Sequence, residues 1–204
     1  MSAAIVNTRG EATFRYTSSE NFSTTGNAPE RVTSIGDVGS REGAETITWA
    51  HGGFSGRATV ELVGGVVYLE SSSVAMLRMY FELPARMAAA DAGRWLSASP
   101  KIDRSGFAAL SAGLTVGAVI KALGCSGPYA LQRRGDRGAS GLRRIAGFVS
   151  GIQRGKIPVV FAVATSPRPV LVGGSGSLRN GATKGSFSWK IDHFGERVAV
   201  HRPR

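Results

Sequence analysis

The segment GRATVELVGGVVYLES, Gly56–Ser71, decides the fold. Gly64-Gly65 allows the positive φ that a two-residue hairpin turn of the primed type demands at both central positions. With the turn there, Val63 faces Val66, Leu62 faces Val67, Glu61 faces Tyr68, Val60 faces Leu69 and Thr59 faces Glu70. Side chains alternate across a strand, so Val60, Leu62, Val67 and Leu69 share one apolar face. Glu61, Tyr68, Thr59 and Glu70 share the other, which water can cover. The apolar face needs a lid, and the following fifty or so residues have the pattern to supply one.

Upstream, Val32–Val38 and Glu45–Ala50 read as strands joined by GSREGA, so the hairpin closes a four-strand antiparallel meander. Residues 1–30 are polar and weakly patterned. A short helix is expected over Glu11–Phe22, with Ala12, Tyr16 and Phe22 as its apolar contacts.

Downstream the period changes. Ser73 can cap an apolar helix over 74–83 that Pro84 stops or kinks. Ala85–Ala92 continues as helix and Gly93 ends it. Ser105 opens a further helix through Leu110. Thr115 caps another, in which Val116, Val119, Ile120 and Leu123 are spaced helically before Gly124. Strands return from Tyr129: Leu142–Ser150, Lys156–Ala164, Pro169–Val172, Thr183–Ile191 and Arg197–His201. Strands, then helices, then strands again, without βαβ alternation, give an α+β fold. It is a strongly curved antiparallel sheet, a half-barrel, with its helices on the concave face. Residues 31–204 form one domain.

The chain of 204 residues has a net charge of +11 and a sequence pI near 10.8. Residues 1–123 carry 11 Lys+Arg against 11 Asp+Glu, and residues 124–204 carry 14 against 3. The whole excess is therefore C-terminal, which points to an anionic partner such as a membrane surface, a glycan or nucleic acid. Arg133, Arg134 and Arg137, with Arg143 and Arg144 after them, concentrate it in a glycine-rich loop. Nucleic acid fits poorly, because no aromatic-studded strand accompanies that loop for base stacking.

Reaction chemistry is not in evidence. The single cysteine, Cys125, excludes an internal disulfide and a cysteine-clustered zinc site. His51, His193 and His201 lack partners at metal-ligand spacing, and neither a nucleophile elbow nor a phosphate-binding glycine loop is present. No cofactor is expected. There is no run of about eighteen apolar residues to cross a membrane as a helix, and MSAAIVNTRG has neither an apolar leader core nor a cysteine for lipid attachment. Asn21-Phe22-Ser23 fits a glycosylation sequon, a tripeptide that also arises by chance. Met76, Met79, Phe81 and Met87 form a cluster that is either plain core or an adaptable apolar surface.

GDVGS (Gly36–Ser40), ATVELVGGVVYL (Ala58–Leu69), AGRWLSASP (Ala92–Pro100), GFAALSAGLTV (Gly106–Val116) and FGERVAVHRP (Phe194–Pro203) occur here in one order. By that order and spacing, from about Arg31 to the C-terminus, the chain resembles the actinobacterial LppX/LprG lipoprotein family. The resemblance implies a half-barrel enclosing an apolar cavity for the acyl chains of lipids or glycolipids. It also implies an extracytoplasmic, envelope-associated carrier with no catalytic residues. The surplus apolar face of the helix over 74–83 and the apolar face of the hairpin place the cavity between them, lined by Val60, Leu62, Val67, Leu69, Met76, Met79, Phe81, Leu114 and Val119. No charged side chain is expected inside. Arg133, Arg134 and Arg137 are expected to meet an anionic head group or surface, and the protein to be a monomer. Two alternatives stand beside this reading: a basic module for nucleic acid or anionic glycan, and an envelope scaffold whose cavity is filled by its own side chains.

Overall fold

The computed structural model describes residues 1–132, 141–150 and 156–200. A single open antiparallel sheet of eleven strands carries the fold, in the order β6-β5-β4-β3-β2-β1-β11-β10-β9-β8-β7. The first half is a meander of β1 (Thr13–Thr24), β2 (Glu30–Gly39), β3 (Gly43–His51), β4 (Phe54–Val63), β5 (Val66–Glu70) and β6 (Leu96–Ala98). The second is β7 (Cys125–Leu131), β8 (Leu142–Ser150), β9 (Lys156–Ala164), β10 (Val170–Asn180) and β11 (Thr183–Asp192). β11 pairs with β1 and joins the halves. The fold class is the expected α+β half-barrel.

The β4–β5 hairpin has the register read from its turn, from Val63↔Val66 to Thr59↔Glu70. Gly64 and Gly65 take φ of 59° and 78°. Ser73 accepts a hydrogen bond from the Met76 N–H and starts α2 (Val74–Met79). Thr115 does the same with Ala118 for α5 (Val116–Ala122). These caps satisfy N–H groups that the first helical turn leaves free.

Several expectations are corrected. Glu11–Phe22 is not a helix: α1 is Ser2–Arg9, and β1 occupies the middle of the sheet between β2 and β11. Phe14 and Tyr16 are both buried, two residues apart, which is strand spacing. The helix over 74–83 stops at Met79, because Glu82 takes a φ of 56° ahead of Pro84. α3 (Ala85–Asp91) then starts afresh, and α4 (Arg104–Leu110) is capped by Asp103 rather than by Ser105. Finally, β10 runs far past Val172, while residues 197–200 form no strand. There the chain turns back on itself: the Gly195 N–H donates to the Thr13 carbonyl, and the Phe194 ring meets the edge of Phe14.

β10 continues through its glycines because aromatic rings from the neighbouring strand lie across them. Gly174 pairs with Trp189 and Gly176 with Phe187. A Cβ at either would stand within 2.6–2.7 Å of the facing ring. The same device recurs where Gly36 faces Tyr16 and Gly185 faces Phe22. Glycine thus makes room for large rings to lie flat on a bent sheet.

Two apolar clusters cover the sheet. One joins Ile47, Trp49, Val60, Leu62, Val67 and Leu69 to Met76, Leu77, Ala88 and Leu114. The other joins Phe14, Phe161, Leu171, Trp189 and Ile191 to Ala4, Val116, Val119 and Ile120. The seam between them is where a site can form.

Candidate functional site

The seam encloses a cavity of about 920 Å³. Its floor is built by strand register. One row of facing residues crosses the sheet as Leu96, Leu69, Val60, Glu45, Gly36, Tyr16 and Ile191. All of these but Gly36 line the cavity. A second row, Trp189, Ser18, Ser34 and Ile47, lies beside it, and Glu20 with Val32 begins a third. All six of these residues also line it. Facing residues share a side of the sheet, so these rows look into one space. Opposite them stand Tyr80–Leu83 after α2, Met87 of α3, Leu110 of α4, and Val119 and Leu123 at α5.

Of the nine apolar residues expected at the cavity, Val60, Leu69, Phe81 and Val119 line it. Leu62, Val67, Met76 and Leu114 do not; they are buried in the core cluster beneath α2. Gly56 explains much of this. A Cβ there would come within 2.6 Å of the Met76 Cβ, so the bare strand lets α2 settle directly on the sheet and closes the space between them. Met79, at the end of α2, is 43% exposed. Arg133, Arg134 and Arg137 lie outside the described residues. Arg143 and Arg144, placed with them in the basic loop, belong to β8.

The expectation of a charge-free interior is also corrected. Glu20, Glu45, Glu82 and Asp103 line the cavity, and among the described residues no Lys, Arg or His does. Ser18 and Glu20 lie in the segment expected as a helix, where no strand alternation toward a cavity is anticipated. Burial holds the Glu20 carboxyl above the usual carboxylate range, helped by the charges of Glu30 and Glu45. Burial with Glu45 raises the Tyr16 hydroxyl, and burial with the same glutamates pushes Tyr80 up to about 12. Glu45 stands beside Tyr16 beneath Gly113, where an added Cβ would meet Glu45 Oε2 at 2.6 Å and Tyr16 Oη at 2.7 Å. Asp103 is held low by the Gly106 N–H and the Ser105 hydroxyl, as its capping role requires.

The Glu20 shift fixes a sign. The folded chain binds the Glu20 proton more tightly than the unfolded chain does, so this group costs stability as pH rises above the ordinary carboxylate range. Glu20→Gln is therefore expected to melt at a higher temperature than the unmutated protein near about pH 8, the two converging below about pH 4. Thermal unfolding across that range checks it. Equal melting temperatures at both ends would show that Glu20 is solvated.

Elsewhere, burial pushes the Cys125 thiol up to about 11, which makes it a poor nucleophile. Among the described residues, no group of three His, Cys, Asp or Glu side chains is placed to hold a metal ion. No helix among them is long and apolar enough to cross a membrane.

No family model and no curated protein matches the sequence. Among solved structures, LprF from Mycobacterium bovis superposes with a TM-score of 0.57 at 14% identity, over 99% of this chain and 94% of LprF. At the level of fold, the chain resembles the LppX/LprG lipoproteins. The lipoprotein LppX of Mycobacterium tuberculosis gives a TM-score of 0.49 at 16% identity, over 98% of this chain and 95% of LppX. A LolA superfamily protein from Nitrosomonas europaea gives 0.36 at 8% identity, over 97% and 93%.

Proposed function

We propose that this protein holds the acyl part of a lipid or glycolipid in the cavity between sheet and helices, as a carrier without catalysis. The observation that carries this reading is the seam cavity, walled by Val60, Leu69, Phe81, Leu83, Leu96 and Val119. Its volume of about 920 Å³ is at the upper end of ligand sites, which run from roughly 300 to 1,000 Å³. The fold shared with LprF supports it. An extracytoplasmic, envelope-associated place of action is part of the proposal.

Energetics set what such a site must do. A buried methylene gains about 0.8 kcal/mol, so fourteen give on the order of 11 kcal/mol gross. Lost translation and rotation cost an estimated 4–15 kcal/mol, so one chain alone is held weakly. A second chain or a head-group contact has to add to it. The basic C-terminal part, including Arg133, Arg134 and Arg137, is proposed for that contact, either with an anionic head group or with an anionic membrane surface.

The test is native mass spectrometry of gently extracted protein, followed by displacement of a fluorescent fatty-acid probe. A co-purified lipid and displacement by two-chain lipids are the expected results. Ala109, exposed on α4 and lining the cavity, offers a plug: Ala109→Trp should weaken probe binding by about tenfold or more, a loss of ~1.4 kcal/mol. Probe binding that no lipid displaces, or that the plug leaves unchanged, would put the ligand elsewhere.

A further inference from the structure

The centre of the cavity floor is polar, although its margins are apolar. Ser18 and Glu20 on β1, Ser34 on β2 and Glu45 on β3 occupy neighbouring inward positions. Ser34 is only 6% exposed. Among the described residues, the buried polar atoms on this floor that lack a hydrogen-bond partner are Tyr16 Oη and Trp189 Nε1, both on residues that line the cavity beside Ser18, Ser34, Glu20 and Glu45. A buried polar group left without a partner is costly, so such groups are normally satisfied by protein, water or ligand.

This bears on what can lie in the cavity. A plain hydrocarbon chain crossing the floor would strip water from Ser18, Ser34, Glu20 and Glu45 and return no hydrogen bond. An anionic group would meet carboxylates, with no Lys, Arg or His among the described lining residues to offset them. A hydroxyl donates to a carboxylate and also accepts from a serine, so it matches both kinds of partner on the floor. We infer that the floor formed by Ser18, Glu20, Ser34 and Glu45 selects a chain bearing a hydroxyl on its buried portion over an unsubstituted chain. This inference rests on the carrier reading and names its ligand more narrowly.

The experiment compares stearate with hydroxystearate carrying the hydroxyl at mid-chain. Head group and length are then constant, and only the buried substituent differs. Probe displacement and the ligand-induced rise in melting temperature are both read. In the unmutated protein, hydroxystearate is expected to bind at least about fivefold tighter. Ser34→Val and Glu20→Leu, which make the floor apolar, should bring the ratio of the two affinities to about one or reverse it. Glu20→Gln keeps an acceptor and should keep part of the preference. Melting curves identify any variant that fails to fold, and the comparison in the unmutated protein does not depend on the variants. Equal or weaker binding of hydroxystearate in the unmutated protein overturns the inference and leaves the carrier reading standing. No displacement by either compound overturns both.

Discussion

Replacing Gly43 with Ala is expected to lower stability by about 3 kcal/mol, the upper end for overpacking a well-filled site. For a chain of this length, the melting temperature should fall by roughly 6–12 °C. Gly43 opens β3 opposite Val38 of β2 and Leu62 of β4. A Cβ on it would stand 2.3 Å from the Leu114 carbonyl oxygen and 3.0 Å from that of Asp37. Both obstacles are backbone, so no side chain can rotate out of the way. Leu114 is fully buried, and Thr115 beside it bridges to Gly39 while capping α5. To admit one methyl group, the start of α5 has to lift away from the sheet. Val119 on that helix lines the cavity, so loss of probe binding should accompany the loss of stability. Gly117→Ala is the contrast on the same helix. Nothing lies within 4 Å of its Cβ position, and it should gain up to ~1 kcal/mol from helix propensity alone. Thermal unfolding of the two variants side by side decides the matter. A harmless Gly43→Ala would mean that the helical layer is not seated on the sheet at this point.

What the sequence made legible follows the strength of its local signals. Gly64-Gly65 pins a hairpin whose apolar face permits only one register, and a slip of one residue would turn that face to water. Ser73 and Thr115 announce their helices because a side-chain oxygen must answer the first free N–H groups. β1 was illegible for the opposite reason. Its inward positions read Phe14, Tyr16, Ser18, Glu20 and Phe22, and its outward ones Arg15, Thr17, Ser19, Asn21 and Ser23, so the contrast between faces fades after Tyr16. That same feature hid the cavity floor, because Ser and Glu point inward where a ligand, rather than a core, is the neighbour. An alternation count over Phe14, Tyr16 and Phe22 would have found the strand. Nothing local would have found Ser34 or Glu45, whose meaning depends on pairing across three strands. β10 failed through its GGSGS segment, a turn by composition and a strand only because Trp189 and Phe187 cover its glycines.

The second large effect tests the other half of the sheet. Phe161→Ala is expected to cost about 3–5 kcal/mol, as truncation of a fully buried aromatic does. Phe161 is on β9 with no exposed surface. Its ring meets Tyr129 at 6.2 Å and Trp189 at 6.4 Å between centroids, linking β7, β9 and β11. Gly147 on β8 leaves room for it, since a Cβ there would come within 2.9 Å of the Phe161 ring and 2.7 Å of Tyr129. Tyr129, Phe161 and Trp189 therefore act as one packed unit, and removing the middle ring leaves the outer two without support. Trp189 also lines the cavity, so the damage should reach the ligand site. Phe161→Leu, which keeps most of the apolar volume, should recover a large part of the loss; denaturant unfolding of both variants measures it. If Phe161→Ala cost less than about 1 kcal/mol, far below the usual range for such truncations, the C-terminal half of the sheet would not be held by this aromatic stack. The seam cavity would then lack the rigid wall on which a selective floor depends.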